Sequence, residues 1–120
     1  MHELSIAHEI YRTCRAVVAA HGGGTLAAVR VAVGELTAVE PDLLVFAWEA
    51  VVAEGKDHQA RLEVEWRQAR QFCPACGADK RQAEASWLPL CPDCGGPLQV
   101  AGGDDLDILS VEILGPEEES

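Results

Sequence analysis

Two Cys-x-x-Cys pairs, Cys73/Cys76 and Cys91/Cys94, stand fourteen residues apart, with Gly77 to Leu90 between them. This is the ligand spacing of a four-cysteine zinc site built on two knuckle turns. Both pairs read C-P-x-C-G: Cys73-Pro74-Ala75-Cys76-Gly77 and Cys91-Pro92-Asp93-Cys94-Gly95. The proline presets φ for a tight turn, and the glycine permits the left-handed backbone that lets amide N–H groups point at thiolate sulfurs. Disulfides are the competing use of four cysteines. They require export, and Met1-His2-Glu3 begins neither a basic n-region nor an apolar h-region. The chain is therefore expected in the reducing cytoplasm, where thiols persist and bind metal. Four thiolates leave no open coordination position, so this zinc is expected to be structural rather than catalytic.

Charge narrows the functional classes. The formal net charge is −11, with 20 acids against 9 bases. Nucleic-acid binding needs a basic face, and Arg67, Arg70, Lys80 and Arg81 around the knuckles fall short of one. Carboxylates crowd the C-terminus: Asp104, Asp105, Asp107, Glu112, Glu117, Glu118 and Glu119 lie beyond residue 100, with no Lys or Arg among them. No apolar run is long enough to cross a membrane.

Periodicity supplies the fold. From Ser5 to Ala20, Ala7, Ile10, Tyr11, Cys14, Val17 and Val18 recur at three- and four-residue steps, which predicts an amphipathic helix with Arg12 and Arg15 on its wet side. Cys14 is then a small buried hydrophobe. Gly22-Gly23-Gly24 stops the helix. Thr25 to Leu36 alternate, with Val29, Val31 and Val33 on one face, and read as a strand. Pro41 and Asp42 open a second helix running to about Glu54, with Leu44, Ala47, Trp48 and Val51 as its buried stripe. Leu62, Val64 and Trp66 form a second strand that leads directly into the first knuckle. Asp107 to Leu114 form the last strand, with Leu109, Val111 and Ile113 facing the core, after a hinge at Gly102-Gly103.

The order predicts an α+β fold: a small three-stranded sheet with two helices, plus an inserted four-cysteine zinc-ribbon lobe on a two-stranded stalk. Residues 1–69 and 101–116 make the α/β domain, 70–100 the inserted zinc-binding domain, and 117–120 an acidic tail. No nucleophile–base pair, phosphate loop or three-ligand metal site is legible, and Gly22-Gly23-Gly24 follows no strand. The chain is thus read as a non-enzyme. His8, His21 and His58 are placed on the surface, His58 in the polar loop Lys56-Asp57-His58.

A second metal-binding feature is the terminus itself. In Met1-His2-Glu3 the Met1 amine, the His2 amide and the His2 Nδ1 can close a five-membered and a six-membered chelate ring on one ion. Ni(II) or Cu(II), which displace amide protons, take such donors in a square plane. The fourth donor is open: the Glu3 amide, His21, His58 or a partner's ligand. The amine titrates near neutral pH, so the site would be reversible.

Met1-His2-Glu3-Leu4-Ser5, then Val33-Gly34-Glu35-Leu36-Thr37-Ala38-Val39-Glu40-Pro41, then the two C-P-x-C-G knuckles together resemble the HypA/HybF family of nickel metallochaperones, over essentially the whole chain. The resemblance implies His2 as principal nickel ligand, with the Met1 amine and nearby backbone amides alongside and Glu3 close to the nickel. It implies Cys73, Cys76, Cys91 and Cys94 as ligands of the structural zinc. It further implies delivery of Ni(II) during [NiFe]-hydrogenase maturation, with the GTPase HypB and the hydrogenase large subunit as partners, and in some organisms urease maturation proteins. Some family members carry a histidine beside the knuckle cysteines; here Gly77 and Gly95 take those places. The alternative reading is a zinc-ribbon protein–protein adaptor with zinc as its only metal.

Overall fold

A computed structural model describes residues 2–82 and 88–115; Met1 and the acidic tail 117–120 lie outside the described residues. The first helix, α1 (Glu3–Ala20), leads to β1 (Thr25–Gly34), a short 3-10 turn (Glu35–Thr37), α2 (Pro41–Val52) and β2 (Arg61–Arg67). Four further strands follow: β3 (Arg70–Cys73), β4 (Ala78–Asp79), β5 (Gln99–Ala101) and β6 (Leu106–Leu114). They form two sheets, ordered β2-β1-β6 and β4-β3-β5, in a molecule measuring 61 × 23 × 18 Å.

The larger sheet carries the helices on one face. β1 and β2 are parallel and α2 is their crossover, the connection that parallel pairing demands. β6 returns from beyond the four-cysteine lobe to pair antiparallel with the other side of β1. The core is the meeting of three apolar faces: Ala7, Ile10, Cys14 and Val18 of α1; Leu44, Ala47, Trp48 and Val52 of α2; and Leu26, Val29, Val31, Val33 and Leu62 of the sheet. Trp48 anchors it at 1% exposure, and its indole N–H donates to the Ala60 carbonyl at 2.9 Å. Truncating such a residue costs about 3–5 kcal/mol. The two helices run side by side in the same direction. Glu3 meets the N-cap residue of α2, Glu40, at one end, and further along Tyr11 packs edge-on against Trp48 with ring centroids 5.9 Å apart.

Several expectations need correction. Arg15 is not on the wet side: its side chain is 28% exposed and pairs with Asp57. Asp57, in a segment read as a polar loop, is 1% exposed. Val52, not Val51, completes the buried stripe of α2, which ends at Val52 rather than near Glu54. Leu109 is 40% exposed, and Ile108 takes the inward place. The cause is a β-bulge: Arg30 pairs with Ser110 but Val31 with Ile108, so Leu109 is skipped and the inside–outside parity resets there. β2 does not run on into the knuckle, because the chain breaks at Gln68-Ala69 and β3 belongs to the other sheet. The stalk is three-stranded.

Gly102-Gly103 is not an open hinge. Gly103 is buried, its carbonyl accepts the Leu36 N–H at 2.6 Å, and a Cβ on it would lie 2.7 Å from the Ala69 Cβ. Gly34 lies in the same crossing, its N–H donating to the Asp105 carbonyl at 2.7 Å. Three chain segments therefore interlock where the two sheets meet.

Candidate metal centres

The four knuckle sulfurs come together. All four Sγ atoms lie within 4.8 Å of one another, the one such His/Cys/Asp/Glu group among the described residues. Cys73 and Cys94 sulfurs are 3.5 Å apart, and Cys76 and Cys91 sulfurs 3.9 Å. A tetrahedral ion with bonds of about 2.3 Å to sulfur sets its ligands about 3.8 Å apart, so the cage has the size that zinc requires. The turns are built as the sequence implies. Gly77 and Gly95 take φ of 67° and 75°, and their N–H groups donate to the carbonyls of Cys73 and Cys91 at 2.8 and 2.9 Å. The N–H of Cys76 points at the Cys73 sulfur and that of Gly96 at the Cys94 sulfur, each at 3.4 Å.

Electrostatics favour a cation in the cage. The backbone N–H of Cys94, with help from that of Asp93, draws the Cys91 thiol down to about 7 against the burial that raises it. Cys76 is pushed up to about 12, first by its hydrogen bond to Cys73 and then by that to Cys94. Cys91 thus ionises readily, while Cys76 holds its proton until a cation replaces it. The sequence's remaining cysteine, Cys14, is fully buried among apolar side chains, and burial pushes its thiol up to about 11. It behaves as the small core hydrophobe the periodicity implies.

The other candidate site lies in the helix layer, at the start of α1 and beside the start of α2. His2 is exposed, in extended conformation (φ −92°, ψ 116°), and serves as the N-cap of α1 without a side-chain capping bond. Its carbonyl accepts the Ile6 N–H at 3.2 Å, and its imidazole makes no hydrogen bond to the described residues. The N–H groups of the first helical turn have no intrahelical acceptor. One of them, on Glu3, instead meets Glu3's own carboxylate, whose Oε2 also takes the Glu40 N–H at 3.3 Å. These two backbone donors hold the Glu3 carboxyl below its usual range, with its own N–H the stronger. Glu3 therefore ties the start of α1 to the start of α2.

Neither spare histidine reaches His2. His21 is the C-cap of the 18-residue α1, so about 27 Å of helix separates the two. His58 follows Asp57, which bonds Arg15 and Leu26 near that same far end. Both candidates for a fourth ligand within one chain are thereby removed.

At the junction of the sheets a cavity of about 360 Å³ is lined by Gln68, Ala69, Arg70, Gln71, Asp79, Lys80 and Arg81. Its three cations are each matched by a carboxylate: Arg70 with Asp79, Lys80 with Asp93, Arg81 with Glu35.

Comparison with known proteins decides the family. A family model described as HypA, hydrogenase/urease nickel incorporation metallochaperone, matches residues 1–113. The chain belongs to the HypA family. It is 36% identical over 114 residues to a hydrogenase maturation factor HypA of Alkalilimnicola ehrlichii, covering 94% of this chain and 99% of that protein. A HypA of Chloroflexus aggregans is likewise 36% identical over 114 residues, covering 93% and 98%. The fold matches the solution structure of the Ni metallochaperone HypA from Helicobacter pylori with a TM-score of 0.63 at 22% identity, covering 96% of this chain and 99% of that one. The α+β architecture with a four-cysteine lobe is therefore that of HypA proteins, and the family's work is nickel incorporation. An adaptor with zinc as its only metal is not favoured. No helix among the described residues is long and apolar enough to cross a membrane.

Proposed function

We propose that this HypA protein carries Ni(II) on its N-terminal segment and hands it on during [NiFe]-hydrogenase maturation, while zinc in the four-cysteine cage holds the second lobe together. The observation that carries the reading is His2, an exposed N-cap whose imidazole is unused, beside the amides that α1 leaves without helical acceptors. The cargo takes the Met1 amine, the His2 amide nitrogen and the His2 Nδ1, and with His21 and His58 both distant the fourth place falls to the Glu3 amide or to a ligand of the receiving protein. Binding there breaks no helical hydrogen bond. A dication at a helix N-terminus is opposed by the macrodipole, an opposition that the His2 amidate offsets only in part. The complex is consequently weak enough to release.

Residues 1–69 and 101–116 act as the nickel-binding part and 70–100 as the zinc-binding part, Cys73, Cys76, Cys91 and Cys94 supplying the zinc ligands. Zinc supplies a closed shell and folding free energy, and no reaction. The protein works by binding and release, in the cytoplasm, with the GTPase HypB and the hydrogenase large subunit as partners. Urease maturation is the second destination that the family description supports.

The test is titration of Ni(II) into zinc-loaded protein with its native terminus, beside His2→Ala and a form extended before Met1. The expected result is a square-planar d–d band in the native form alone. Equal binding by all three forms sinks the assignment of the terminus.

A further inference from the structure

Glu35 sits where the two sheets meet, and its carboxylate is held from two chain segments. Oε1 accepts the Ala69 N–H, in the link between β2 and β3, at 2.9 Å. Oε2 takes the Arg81 guanidinium, beyond β4, at 3.1 Å, and Arg81 also donates to the Ala69 carbonyl at 3.4 Å. The flanking amides are committed as well: Gly34 N–H to the Asp105 carbonyl and Leu36 N–H to the Gly103 carbonyl, both in the link from β5 to β6. Glu35 and its two neighbours Gly34 and Leu36 thus bind both chain crossings into the four-cysteine lobe.

The segment that begins at Glu35 ends at the proposed nickel site. Thr37 closes the 3-10 turn by donating its hydroxyl to the Gly34 carbonyl at 2.8 Å and accepting the Val39 N–H at 3.3 Å. Ala38 between them has φ +61°, the one non-glycine residue in the left-handed region among those described. A Cβ there is tolerated only when the surroundings dictate it. Two residues on, the Glu40 N–H meets the Glu3 carboxylate, next to His2. The backbone from Gly34 to Glu40 is therefore fixed at one end by the four-cysteine lobe and at the other by the start of α1.

We propose that Glu35 is a positioning residue for nickel presentation: it sets the angle of the four-cysteine lobe and, through the strained 34–40 segment, seats Glu3 and the His2 terminus against α2. The last clause rests on the nickel reading above; the first does not. A salt bridge this exposed is dispensable for folding, its side chains being 31% and 56% exposed, so variants should fold.

The experiment uses the full zinc-loaded chain, as Glu35→Ala, Arg81→Gln and the double variant. Residual dipolar couplings of the two sheets are expected to fit one alignment in the native protein and two in each variant. Amide exchange at Ala69 and Glu40 is expected to rise about five- to tenfold, the scale of one lost hydrogen bond. The double variant should add little to either single one. Nickel affinity should fall several-fold in Glu35→Ala with stoichiometry unchanged, and should be restored in part by Glu35→Gln, which keeps one acceptor for Ala69. A single alignment in Glu35→Ala, or unchanged exchange at Glu40, overturns the proposal. Failure of native protein to bind nickel at its terminus removes the nickel reading while leaving the lobe alignment to stand or fall by the couplings.

Discussion

The Tyr11 hydroxyl donates to the Asp57 carboxylate across 2.7 Å, joining the middle of α1 to the loop before β2 at a point closed to solvent. Asp57 also accepts the Leu26 N–H at 2.8 Å and the Arg15 guanidinium at 3.2 Å. A buried carboxylate persists only when paired and fully bonded, and this one has a charge partner and two neutral donors. Asp57→Ala leaves the Leu26 N–H and the Tyr11 hydroxyl without an acceptor and strips the partly buried Arg15 of its charge partner, leaving it the Gly24 carbonyl. The expected loss is about 3 kcal/mol of stability, against about 1 kcal/mol for Tyr11→Phe, which removes one donor only. Urea midpoints at unchanged slope check both. Zinc content should not change, because the cage lies on the other sheet.

The same pair predicts an alkaline transition. Burial, then the bond to Asp57, pushes Tyr11 from its ordinary 10.0 up to about 12. A raised value means that the native state keeps its phenol proton where the unfolded chain has lost it. The associated stability is fully present below pH 10.0 and drains away as pH rises toward about 12. Tyr11 is the only tyrosine. Tyrosinate absorbance is therefore expected to stay flat in native protein well past the point where urea-unfolded protein titrates, and Asp57→Asn should bring the two curves closer.

Local pattern carried much of this fold, and long-range pairing carried the rest. Helical spacing placed Ala7, Ile10, Cys14 and Val18 on one stripe, and the matched C-P-x-C-G turns implied a single four-sulfur cage. Both depend on neighbours within a few residues or on repeated turn chemistry. Asp57 could not be read this way, since Lys56-Asp57-His58 has the composition of any surface loop and its partners lie 31 to 46 residues away. The only advance signal was Arg15, a cation beside an apolar stripe with no acid at helical spacing to pair it. Leu109 was misplaced because a bulge resets strand parity without a compositional mark. His2 was legible as a possible ligand, while the distances that remove His21 and His58 required the fold.

Glycines at the junction and in the knuckles should respond oppositely in cause. Gly34 has an ordinary φ of −89°, so its backbone conformation admits any residue. What forbids alanine is contact: a Cβ there would lie 2.2 Å from the Gly103 carbonyl oxygen, which is main chain and already accepts the Leu36 N–H. Gly77 is the reverse, with nothing within 4 Å of its Cβ position but φ of +67°. Gly34→Ala is expected to cost about 3 kcal/mol through forced displacement of the crossing segments, and Gly77→Ala about 1 kcal/mol through backbone strain alone. Thermal unfolding of the zinc-loaded variants ranks them.

Metal removal should unfold one end of the molecule and spare the other. Among the described residues, the apolar cluster of buried residues in the four-cysteine lobe is Cys73, Cys91 and Leu98, so two of its three members are the proposed ligands themselves. Burial of one leucine contributes about 2 kcal/mol, far too little to order the sheet β4-β3-β5 against its conformational entropy. The helix layer instead rests on Trp48, Leu44 and the valines of β1, none of which touches the cage. A strong zinc chelator, or Cys73→Ser, is therefore expected to abolish amide protection at Phe72 and Val100 while Val29 and Val31 keep theirs. The interlock at Gly34 and Gly103 should loosen only partly, because its hydrogen bonds to Asp105 and Leu36 lie on the helix-layer side. Retention of protection at Phe72 in metal-free protein would mean that the lobe is held by something other than its cage, and the structural role assigned to zinc would fail.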